Sequence, residues 1–154
     1  MDSFAIEFDG YWRERKKGGI PAEPGVYCVY TCIYSGKKQT WSPHKSAGLP
    51  ICTTAPPGEW RHEKLVYIGA SENVRECIAD HVKQADWESH IDTREELCFS
   101  FGAMDAETLE RCAAALIFKH KPPENSEYAR DFPFDTTSLT LSGTGGFLSK
   151  SFTV

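Results

Sequence analysis

"GVYCVYTCIY", residues 25–34, and "KLVYIG", residues 64–69, hold the densest β-forming runs in the chain. In the first, Val, Tyr, Thr and Ile recur almost without a break, and β-branched and aromatic side chains fit a pleated, covered surface. The run therefore predicts a buried strand, launched by Pro24 and Gly25. The second run predicts another strand, closed by Gly69. Between them, residues 35–63 are rich in Pro, Gly, Lys, Ser and Thr, which predicts a long insertion or loop.

Working outward, the N-terminal segment is amphipathic. It places Trp12 beside the charged run Arg13 to Lys17, and Gly18-Gly19 break it. After the second strand, Ser71 is positioned to cap a helix from Glu72 to about Gln84, its hydroxyl accepting from a first-turn amide. Val74, Cys77, Ile78 and His81 fall on one face of that helix at helical spacing. "ELCFSF", residues 96–101, predicts a third strand. Asp105 is positioned to cap a second helix running to Lys121, which Pro122-Pro123 stop. Residues 136–154 hold two alternating segments around Gly143 to Gly146 and predict a hairpin. The expected fold is a small α/β (α+β) domain with a three-stranded, largely antiparallel sheet flanked by helices, plus that C-terminal hairpin.

Composition narrows the classes. A chain of 154 residues with 40% hydrophobic content suits one domain with a real core. No apolar run approaches the roughly 20 residues of a membrane span, and the acidic start is not a secretory signal, so no membrane partner and a cytoplasmic location are expected. The six cysteines form no Cys-x-x-Cys pair, which argues against a zinc ribbon and for reduced thiols. Cys52 with His44 and His62 matches no metal-ligand spacing. A net charge of -5 argues against a basic nucleic-acid coat and leaves a local basic patch open.

The triplets Gly25-Val26-Tyr27 and Tyr67-Ile68-Gly69 gain meaning together. On successive strands, followed by a helix reaching His81 and a later helix followed by Asn125, they resemble the GIY-YIG nuclease family over residues 24–125. The resemblance implies a metal-dependent endonuclease acting on nucleic acid, DNA first, with Mg²⁺ or Mn²⁺ steadying the charge that develops at phosphorus. It implies that Tyr27 and Tyr67 stand side by side with one phenol as base, that His81 fills the family's histidine or tyrosine position, and that Asn125 orients the site. Arg75, Lys119 and Lys121 are the candidate phosphate contacts.

Two positions depart from the pattern. Where the resemblance places an arginine, four residues before His81, the chain has Cys77, and Arg75 is turned toward the opposite face. Where it places the metal-binding glutamate, three residues before Leu116-Ile117, the chain has Ala113. Glu110, one turn earlier and about 4.5 Å along the axis, is a weak substitute. The expectation is therefore a nuclease scaffold with impaired chemistry, an engineered or natural loss, or alternatively a non-cleaving nucleic-acid-binding or protein-interaction module. Each residue also has a plainer reading: Tyr27 and Tyr67 as strand aromatics, His81 as a packing residue, Asn125 as a turn cap, the lysines as solvated faces.

Overall fold

The computed structural model describes residues 2–35 and 59–154. In chain order these form β1 (Asp2–Arg13), a 3-10 helix (Glu14–Gly19), β2 (Gly25–Ser35) and β3 (Glu59–Ser71). Then come α1 (Val74–Ala79), α2 (Gln84–Glu88), β4 (Glu95–Ala103), α3 (Leu109–His120), β5 (Thr137–Gly143) and β6 (Ser151–Thr153). Of the insertion expected at 35–63, residues 36–58, with Lys37, Lys38, His44 and Cys52, lie outside the described residues. Its last part belongs to β3 instead.

β2 shows why its sequence has so little polarity. Its residues alternate between two cores: Val26, Cys28, Tyr30 and Cys32 belong to one, Tyr27 and Val29 to the other. The first core is completed by α3, through Cys112, Ala113, Ala115, Leu116 and Ile117. The second is completed by Val74 and Ile78 of α1 and Trp87 of α2. The three alanines let α3 approach the sheet closely, and Ala114 and Ala115 are fully buried.

The sheet is larger than expected. Among the described residues it has six strands in the order β3-β2-β4-β1-β5-β6, so the fold is mixed α/β without the three-stranded limit. β1 supplies the difference: it pairs antiparallel with β4 and parallel with β5, and so joins the C-terminal β5–β6 pair to the central strands. Ile6 and Phe8 of β1 are buried while Glu7 and Asp9 are exposed, a period of two that the charged run after it obscures.

Three further expectations are corrected. The helix from Glu72 to Gln84 is two short helices, and Asn73 rather than Ser71 caps the first, its side chain accepting from the Glu76 amide at 3.1 Å. α3 begins at Leu109, three residues later than a cap at Asp105 would give. Asp105 instead accepts the Thr108 amide through its backbone carbonyl. Cys32 and Cys98 are joined as a disulfide, not reduced, with Cα atoms 6.3 Å apart. β2 pairs Cys32 with Glu96 and Tyr30 with Cys98, which makes the two cysteines diagonal neighbours although 66 positions separate them. No helix among the described residues is long and apolar enough to cross a membrane.

Candidate functional site

The two triplets are adjacent because their glycines permit it. In the β2–β3 register Tyr27 faces Gly69 and Val29 faces Tyr67. A Cβ on Gly69 would overlap the ring of Tyr27, and a Cβ on Gly25 would overlap Phe101 of β4. With Gly69 bare, the Tyr27 ring lies across β3 and meets Tyr67, ring centroids 6.2 Å apart. His81 completes the group, 6.2 Å from the Tyr27 ring and 5.8 Å from that of Tyr67. The structure thus brings together Tyr27, Tyr67 and His81, and adds Cys77, whose Sγ lies 3.6 Å from the Tyr27 hydroxyl.

Hydrogen bonds fix the protons. The Lys83 amide donates to His81 Nδ1 at 3.0 Å, so the ring proton sits on Nε2. Nε2 lies 3.0 Å from the Tyr27 hydroxyl and donates to it. The Tyr27 proton is then left for Cys77 Sγ or the Tyr67 oxygen. Taking the Lys83 amide also explains the helix break, because a continued helix would have given that amide to Ala79. Burial is the main force on Tyr27, Tyr67 and His81. It holds the Tyr27 and Tyr67 phenols above the usual tyrosine value, with Cys77 adding to both, and holds His81 below the usual histidine value with help from Lys83.

This arrangement supports structure more than proton transfer. Tyr27 is 1% exposed and cannot touch a ligand. Both His81 nitrogens are engaged, its ring stacks on Trp87 at 4.4 Å, and neither nitrogen offers a lone pair to solvent. Of the trio, Tyr67 lines an open cleft.

That cleft, about 740 Å³, lies between the outer edge of β3, the side of α3 that carries Glu110, Ala113 and Ile117, and the loop after it. Ala113 and Ile117 form part of its apolar wall. Asn125 closes one end by clamping the β3 edge: its Oδ1 accepts from the Ile68 amide and its Nδ2 donates to the Ile68 carbonyl, both at 2.9 Å. Its role is therefore anchoring the loop on the YIG triplet. Glu110 faces the same space but accepts the hydroxyl of Tyr128, whose pKa is pushed up to about 12, first by that bond.

The cleft is acidic. Among the described residues, Glu72, Glu107, Glu110, Glu124 and Glu127 line it against one cation, Lys83, whose Nζ stands 5.9 Å above the Tyr67 ring. The expected phosphate contacts are elsewhere. Arg75 Nε donates to the Ile20 carbonyl at 2.6 Å, Lys119 lies over Phe152 at 5.9 Å, and Lys121 donates to the Phe118 and Ala129 carbonyls. Mg²⁺ or Mn²⁺ does not fit this donor set. The residue at the helix position is Ala113, Glu110 is bound to Tyr128, and no three His, Cys, Asp or Glu among the described residues converge on one point.

Glu127 and Tyr128 escaped the sequence reading because they sit in a connecting loop outside any periodic pattern; Lys83 escaped it because the helix expected to about Gln84 places it off the stripe of Val74, Cys77, Ile78 and His81. No family model, curated protein or solved structure matches the chain.

Proposed function

We propose that the chain is a ligand-binding module on a GIY-YIG-type scaffold, holding its partner in the Tyr67 cleft without cutting it. Ala113 carries this reading: it lines the cleft at the helix position where the resemblance calls for a metal-binding glutamate. The engaged nitrogens of His81 and the buried phenol of Tyr27 agree with it, since neither is free to take a proton from water. A cytoplasmic setting belongs to the same proposal.

A second reading, metal-dependent hydrolysis of nucleic acid, is favoured by one observation: Glu110 lines the same cleft one turn before Ala113. The two separate in a calorimetric titration with MgCl₂ or MnCl₂. A binding module lacking the helix carboxylate gives heats barely above dilution. A tight stoichiometric site would favour hydrolysis, with Glu110 as its ligand.

A further inference from the structure

The cleft's own chemistry identifies the class of partner, an inference that rests on the binding-module reading above. β3 is an edge strand, and alternate residues of an edge turn their N–H and C=O away from the neighbouring strand. The outward carbonyl of Val66 accepts from the Glu124 amide at 3.1 Å, and both outward groups of Ile68 are held by Asn125. The next outward pair belongs to Ala70, which lines the cleft; among the described residues neither of its groups has a partner on that side. Around this open edge the charge is one-sided. Glu124 is paired with His90 at 2.7 Å and Glu110 with Tyr128, whereas Glu72, Glu107 and Glu127 are exposed and have no ion pair among the described residues. Glu127 is near enough to the phenols of Tyr67 and Tyr128 for its charge to help keep both protonated.

We propose that the cleft binds an extended peptide segment bearing lysine or arginine. One residue of it pairs with Ala70 along the β3 edge, and its cationic side chain lies against Tyr67 among Glu72, Glu107 and Glu127. Backbone pairing gives such complexes affinity and side-chain pockets give them selectivity. A cation gains from both the carboxylates and the aromatic face. Among the described residues a polyanion meets five carboxylates and one lysine in the same space.

The test is fluorescence anisotropy at low salt with a short labelled peptide of alternating lysine and valine. A glutamate–valine counterpart and short DNA and RNA strands are measured in parallel. The lysine peptide binds the unaltered chain. It binds about tenfold more weakly to the Glu72→Gln, Glu107→Gln, Glu127→Gln variant, and nearly unchanged to a Glu7→Gln, Asp9→Asn, Asp131→Asn variant with the same charge change elsewhere. The peptide N-methylated on alternate residues keeps its charge and binds more weakly, because the donor to Ala70 is lost. Equal binding of the methylated peptide, equal weakening by the two variants, or no binding of the lysine peptide would overturn the proposal. So would oligonucleotide binding that depends on Lys83. Magnesium-dependent cleavage of the oligonucleotides would instead overturn the binding-module reading beneath it.

Discussion

Gly69 lacks a side chain because the ring of Tyr27 occupies that space, and from this one vacancy the cluster follows: Tyr27 reaches Tyr67, and its hydroxyl accepts the hydrogen bond from His81 Nε2–H. The same histidine, held neutral by burial, makes stability depend on pH. His120 adds to the effect: its Nδ1 donates to the Leu116 carbonyl at 2.9 Å, its Nε2 accepts the Ser149 amide at 2.9 Å, and burial holds its pKa down. Both folded values lie below the unfolded one, so as pH falls the unfolded chain takes up protons first. Their contribution is full above the unfolded value of about 6.5 and is lost as pH falls toward the depressed folded values. Urea midpoints should therefore drop between about pH 7.5 and 5.5, and the drop should shrink when His81 and His120 are both changed to glutamine. A midpoint that is flat or rises on acidification would contradict the neutral assignments.

At the scale of elements, Asn125 does for β3 what another strand would do, satisfying both outward groups of Ile68 from a loop. Asn125→Ala strips that clamp and should cost about 1–3 kcal/mol, since two partly buried backbone groups lose their partner. The Ile68 amide should then exchange with deuterium much faster, while amides at the centre of β2 stay protected; an unchanged Ile68 amide would remove the anchoring role. Asn125 was legible in the sequence as a residue after a double proline, but its partner was not, because 57 positions separate them. β2, β3, β4 and α3 were legible for the opposite reason: their apolar runs are local and strong. β1 was not, since its alternation ends in five charged residues, and the first helix was overextended because nothing local reveals that His81 takes the Lys83 amide. The Cys32–Cys98 pair likewise depends on strand register.

For the molecule as a whole, the formal charge of -5 could be read from composition, but not its gathering: three carboxylates without an ion pair among the described residues share one cleft with Tyr67, while Arg75, Lys119 and Lys121 are engaged away from it. Two glutamates of that cleft, Glu124 and Glu127, come from the loop after α3, and folding alone brings them to the β3 edge. The paired tyrosines were recognisable as a unit and do meet, whereas which of them faces solvent depended on Gly69 and on burial that no spacing encodes. If the chain binds without cutting, as proposed, short labelled DNA and RNA, single- and double-stranded, incubated with the unaltered chain in MgCl₂ or MnCl₂ give no product above the protein-free blank. Product formed by the unaltered chain and abolished by Glu110→Gln would contradict the proposal.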